Sequence, residues 1–251
     1  AWDVSTEKWS RIADLPAQGR VAGTQFSHDG KRIFFSTFGW GAEAKLSSVD
    51  LQGNDLREHL SGMDITEFDV SPDGDLIFAV GSSGLATFFS VSAGLAIDTV
   101  SIPPNCPVRC AVFSPCGKYV ALGADTTLQI YAAPAERTVS FHGCSRVENI
   151  HNAVNEAINK IEWTQDSSCV MISGADARIR VYPRDVRNRI GWAAAVNNLI
   201  GHRAAVVGCY WADAPKDALF EQKTQDDDGD DALRMALLRC FVRLGVAVWH
   251  V

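Results

Sequence analysis

The residues with the most evident chemical potential are five arginines, Arg178, Arg180, Arg184, Arg187 and Arg189, followed by Trp192. Guanidinium groups grip phosphate and carboxylate oxygens in a planar, two-pronged geometry, and a neighbouring indole adds stacking area. Arg178 and Arg180 alternate with Ile179 and Val181, so a strand would set both on one face. Arg184, Arg187, Arg189 and Trp192 then fall in the connection to the next element. The set suits contact with a protein partner or a phosphate backbone. A solvated strand edge accounts for the same residues without any partner.

Other motifs lead to less chemistry. Gly39-Trp40-Gly41-Ala42-Glu43-Ala44 matches GxGxxA, but a dinucleotide site needs a helix N-terminus for the pyrophosphate. The following segment, Lys45 to Leu51, reads as a strand, so the motif is expected to be a loop. The run Asp226-Asp227-Asp228-Gly229-Asp230-Asp231 fails as a calcium loop. With Gly229 at the sixth position, Thr224 and Met235 occupy places that require carboxylates. Cys106, Cys110 and Cys116 lie close together, yet no CxxC pair exists and strand thiols are the expectation. The six histidines, His28, His59, His142, His151, His202 and His250, are scattered. Nothing assembles a nucleophile, a base and an orienting group, so no enzyme, cofactor or small-molecule substrate is expected.

Composition narrows the class further. The formal net charge of −7 includes five aspartates of one run, leaving −7 − (−5) = −2 for the rest. That is not the basic footprint of a domain gripping nucleic acid, so any RNA contact is expected to be indirect. Seven cysteines, an odd number, with no signal peptide at Ala1-Trp2-Asp3, read as reduced thiols of an intracellular protein. Leu76 to Ile97 carries no charge for 22 positions. Ser82-Ser83-Gly84 interrupts it and no Lys or Arg flanks it, so two buried strands are expected rather than a membrane span.

The elements that position these residues repeat. Strand-then-turn cassettes occur at Gln25–Gly30, Asp69–Gly74, Val112–Gly117 and Glu162–Ser167, with a fifth lacking its turn at Cys209–Asp213. Their apolar residues Phe26, Val70, Phe113, Trp163 and Trp211 recur at intervals of 44, 43, 50 and 48. Pro-Asp-Gly is a turn with a mechanism: Pro presets φ, Asp bonds nearby backbone, and Gly takes positive φ. An apolar strand follows each turn, and a third strand ends on Val49, Phe89, Tyr131, Tyr182 or Trp249. Asp125 and Asp176 each precede that aromatic residue by six.

A period of about 40–45 residues with four strands per unit is the signature of WD40 β-propeller blades. The expected fold is therefore all-β, with about five blades of a larger seven-bladed propeller. Their approximate ranges are 21–51, 65–92, 108–134, 159–184 and 202–251. An acidic insert at 215–231 is expected to be disordered. Gly201-His202 is the clear Gly-His signature, but Arg243 holds the Asp slot that His202 would bond. Asp176 in turn has no Gly-His ahead of it. The connector from Pro134 to Asn159 is long, and Val154–Asn159 is expected to make a short helical turn.

From Val108 onward the chain also resembles the periodic tryptophan protein 2 family. The resemblance is carried by Phe113-Ser114-Pro115-Cys116-Gly117-Lys118, Gln129-Ile130-Tyr131-Ala132-Ala133-Pro134 and Ile161 to Cys169. It continues in Gly201-His202-Arg203 and Val206 to Trp211. It implies a non-catalytic nucleolar scaffold of the small-subunit processome. Such a protein works with a small nucleolar ribonucleoprotein in pre-rRNA processing and small ribosomal subunit assembly. The implied partners are other WD40 and helical subunits, with no membrane. A WD40 adaptor in another intracellular complex is the competing reading.

Overall fold

The computed structural model describes residues 2–3, 7–9, 20–39, 42–103, 106–137, 146–183, 197–200, 205–212 and 237–242. The chain forms two compact units, Ala1–Ala153 and Val154–Val251. In the first, β1 (Trp2–Asp3) pairs with β2 (Lys8–Trp9). Three four-stranded antiparallel sheets follow, each a meander in chain order. The first holds β3 (Arg20–Phe26), β4 (Arg32–Gly39), β5 (Ala42–Asp50) and β6 (Arg57–Ser61). The second holds β7 (Ile65–Val70), β8 (Leu76–Gly81), β9 (Leu85–Ser90) and β10 (Leu95–Ser101). The third holds β11 (Val108–Phe113), β12 (Tyr119–Ala124), β13 (Thr127–Ala132) and β14 (Arg146–Ile150). The second unit has a sheet of β15 (Ile158–Trp163), β16 (Cys169–Gly174), β17 (Arg178–Pro183) and β18 (Asn197–Ile200). It also has a pair, β19 (Val206–Ala212) and β20 (Leu237–Val242).

Strand parity explains the uncharged stretch. Side chains alternate between faces, and the second sheet is covered on both. Leu76, Phe78 and Val80 pack with Phe113, Val120, Leu122 and Tyr131 of the third sheet. Ile77 and Ala79 pack the other way, with Phe34 and Leu46 of the first. A strand buried on both sides has no polar face, so β8 and β9 read as one apolar run. Ser82-Ser83-Gly84 is the loop between them, with Gly84 at φ 81°. No helix among the described residues is long and apolar enough to cross a membrane.

The turn of the repeat is built by a hydroxyl as much as by Pro, Asp or Gly. Ser71 N–H donates to the Leu76 carbonyl at 2.8 Å, and Leu76 N–H donates back to Ser71 Oγ at 2.8 Å. Ser71 Oγ donates to Asp73 Oδ1 at 2.6 Å, and that oxygen also accepts Asp75 N–H at 3.1 Å. Ser27 with Asp29 and Thr164 with Asp166 serve the same positions. In the third sheet Cys116 stands in for the aspartate, 3.3 Å from Ser114 Oγ. Where the others have glycine, the fourth turn holds Ser167 at φ 60°.

Several expectations are revised. Val154–Asn159 forms no helical turn: bends lead directly into β15 at Ile158. The long connector contains β14, which pairs with β13. Cys110 is a buried strand thiol and Cys106 is half-buried in a loop, but Cys116 is exposed in its turn. Gly39 ends β4 and is opposed to Ala42, which begins β5, so the GxGxxA motif expected to be a loop lies largely within a hairpin's strands. The 215–231 segment and Trp249 lie outside the described residues.

Two turn variants test this backbone logic. Gly74 sits at φ 76°, and a methyl group added there would meet nothing within 4 Å, so Gly74→Ala carries a purely conformational cost. It should lower unfolding stability by about 1–2 kcal/mol. Ala177 occupies φ 62° in the three-residue loop between β16 and β17, the place Gly84 takes between β8 and β9. Ala177→Gly should be neutral or stabilising by up to about 1 kcal/mol. Urea midpoints of the two variants check both signs.

Candidate interaction surface

The arginine patch divides at its second member. Arg178 is half-buried at the start of β17. Arg180, expected beside it on an exposed face, is only 6% exposed. Its guanidinium donates to both carboxylate oxygens of Asp176, at 3.2 and 2.6 Å. Alternation sets Arg178 and Arg180 on one face but does not say what covers that face. The turn folds Asp176 back over the strand, and Arg180 is spent on this internal pair. Arg184, Arg187, Arg189 and Trp192 lie outside the described residues.

The same pair resolves a gap in the blade. Asp176 has no Gly-His partner, and Arg180 with the Asn155 N–H at 3.0 Å takes that role. Burial alone would raise the Asp176 carboxyl, but the hydrogen bonds from Arg180 and Asn155 outweigh it and hold it below the usual range. Gly174 makes room: a Cβ there would stand 2.5 Å from Asp176 Oδ1. Nearby, Ser173 Oγ is buried without a hydrogen-bond partner. Asp125, equivalent to Asp176 by spacing, differs in role. It is exposed, at φ 52°, in the two-residue turn between β12 and β13. Trp163 ends β15 at 5% exposure, and Trp211 lies in β19 opposite Leu238. His202 lies outside the described residues.

Three further groups escaped sequence reasoning. Asp69, 7% exposed on β7, accepts hydrogen bonds from the Gln25 side-chain amide on β3, from Val70 N–H and from Phe113 N–H on β11. One carboxylate thus joins the first strands of three successive sheets. The available signal was a polar residue two places before the turn hydroxyl, as in Gln25, Asp69 and Glu162. Arg137, just past β13, pairs with Asp73 at 2.6 Å and Asp75 at 3.1 Å, clamping the third sheet to the turn of the second. Burial opposes ionisation of Asp73, but Arg137, Ser71 and the Asp75 N–H together lower its carboxyl to about 2. His59 on β6 stacks on Phe34 at 5.5 Å and hydrogen-bonds Ser48 Oγ at 2.8 Å. Burial, with the charges of Arg32 and Arg57, lowers its imidazole to about 4. A cleft of about 550 Å³ opens between the second and third sheets, walled by Thr66, Ser82, Ser83, Pro103, Cys106 and Pro107.

These contacts set measurable expectations. Asp176→Asn strips a buried guanidinium of its charge partner and should cost about 3–5 kcal/mol in an equilibrium unfolding titration. Ser173→Ala removes a hydroxyl that bonds nothing and should be neutral or slightly stabilising in the same titration. For His59 the unfolded chain takes up a proton near pH 6.5 while the folded chain resists until about 4. Protonation therefore favours the unfolded chain, and stability should fall as pH drops from about 6.5 to 4. Thermal midpoints across that window should slope less in His59→Gln.

Comparison with known proteins agrees with the blade pattern. The WD40 family, described as WD domain, G-beta repeat, matches residues 99–131, from β10 through β13. Periodic tryptophan protein 2 of Arabidopsis thaliana is 26% identical over 141 residues, 56% of this chain and 15% of that protein. Periodic tryptophan protein 2 of Saccharomyces cerevisiae is 25% identical over 198 residues, 78% of this chain and 20% of that protein. The matched region spans a fifth or less of these relatives' length. Four-stranded meanders, a repeated hydroxyl-bonded turn and a matching WD40 repeat make the fold a partial WD40-type β-propeller.

Proposed function

We propose that the chain is a non-catalytic scaffold of the small-subunit processome. It supports pre-rRNA processing and small ribosomal subunit assembly alongside a small nucleolar ribonucleoprotein in the nucleolus. The observation that carries this reading is the similarity to periodic tryptophan protein 2 over 78% of the chain. Physical features favour a scaffold. The second sheet is packed on both faces and the turns of the repeat are hydrogen-bonded, so binding residues on loops are held without reshaping the core. The first sheet and the loop before β6 also expose apolar side chains: Val21, Phe26, Phe38 and Leu56 are each at least 40% exposed. The positions equivalent to Phe26 in the next three sheets, Val70, Phe113 and Trp163, are all below 7%. These side chains of the first sheet are available for contact with a partner.

Partner contact is assigned to Arg178, Arg184, Arg187, Arg189 and Trp192, while Arg180 is spent on its pair with Asp176. Other WD40 and helical subunits are the expected partners, and RNA is reached through them. In affinity purification of the full-length protein, processome subunits and rRNA precursors should co-purify. The triple change of Arg184, Arg187 and Arg189 to Glu should reduce that recovery several-fold. Unchanged recovery would remove the patch from the interface. A set of ubiquitin-ligase subunits without rRNA precursors would replace the whole reading with an adaptor in another pathway.

A further inference from the structure

Cys209 on β19 and Cys240 on β20 occupy directly opposed positions in antiparallel register. Opposed residues of such a ladder have Cα atoms about 4.5 or 5.5 Å apart. Both separations fall inside the range of about 4.4–6.8 Å that a disulfide spans. Cys209 is fully buried in a cluster with Cys169, Met171, Ile179, Val181 and Val206. Cys169 shares that cluster but lies in a different sheet, so no strand register sets it opposite Cys209. Within the sheet, its own opposed residue is Pro183. The backbone therefore favours Cys240 over Cys169 as the partner of Cys209.

We propose that Cys209 and Cys240 form a redox pair that closes into a cross-strand disulfide. A low-molecular-weight disulfide such as oxidised glutathione is the oxidant. One protein thiolate attacks it, forming a mixed disulfide and releasing one glutathione thiolate. The second protein thiolate then displaces the other glutathione. The protein loses two electrons and two protons, and one glutathione disulfide becomes two glutathione thiols. The bond closes a loop that contains the whole acidic run Asp226–Asp231, since that run lies between the two cysteines. A cross-link across a loop of this length restrains the unfolded chain, so the oxidised form resists unfolding more than the reduced one.

The test equilibrates the chain in glutathione buffers of increasing oxidised fraction, alkylates remaining thiols and digests with trypsin without reduction. The expected product joins the peptide Ala204–Lys216 to the peptide Cys240–Arg243. It should be absent from Cys240→Ser, and oxidation should raise the thermal midpoint by several degrees in the unaltered chain only. Cys240→Val serves where the serine variant does not fold. Alkylation of both cysteines under oxidising buffer would overturn the proposal, as would a Cys169–Cys209 link. Equal yield of the linked peptides from chain unfolded in denaturant would also overturn it, because register would then contribute nothing.

Discussion

The constraint on which the first unit depends is that the inner strands of its second sheet, β8 and β9, have no solvent face. Each apolar side chain of β8 is owed to one neighbour or the other by parity alone: Leu76, Phe78 and Val80 to the third sheet, Ile77 and Ala79 to the first. A slip of one residue in register would exchange every one of these assignments. The hydroxyl-bonded turn at Ser71 fixes that register from one end, and the Gly84 loop fixes it from the other. Packing and turn chemistry here are two statements of one requirement.

Charged side chains at the core of these sheets find partners that span elements. Arg180 and Asp176 neutralise each other between turn and strand, and Arg137 joins the third sheet to the turn of the second. Ion pairs contribute little net stability, yet losing one member of a buried pair such as Arg180–Asp176 is costly. Their effect is to specify geometry. They say which turn meets which strand where apolar contact alone would tolerate alternatives. His59 fits the same pattern as a neutral ring held between Phe34 and Phe89.

Much of this was legible beforehand, and the limits have physical causes. Strand-forming runs, their turns and their spacing were readable because apolar alternation and Pro-Asp-Gly act locally. The fourth strands were not. Arg57–Ser61 and Arg146–Ile150 are polar and partly exposed, as edge strands commonly are, so periodicity offers little signal. Arg180 was misjudged because sequence alternation identifies a face but not its cover. The roles of Asp69 and Arg137 were invisible for a related reason. Their partners lie 44 and more than 60 residues away, beyond any local rule.

Asp69 also limits how far the chain can be treated as interchangeable modules. In sequence the sheets look like beads that could be cut out or shuffled. Yet one carboxylate in the second bead accepts from a side chain in the first and from the main chain of the third. Excising the second sheet and splicing its neighbours would place Val112 where Asp69 had stood relative to Gln25, and an aliphatic side chain accepts nothing. The repeat is therefore periodic in shape but not in wiring, and a transplant at this point must carry three sheets together.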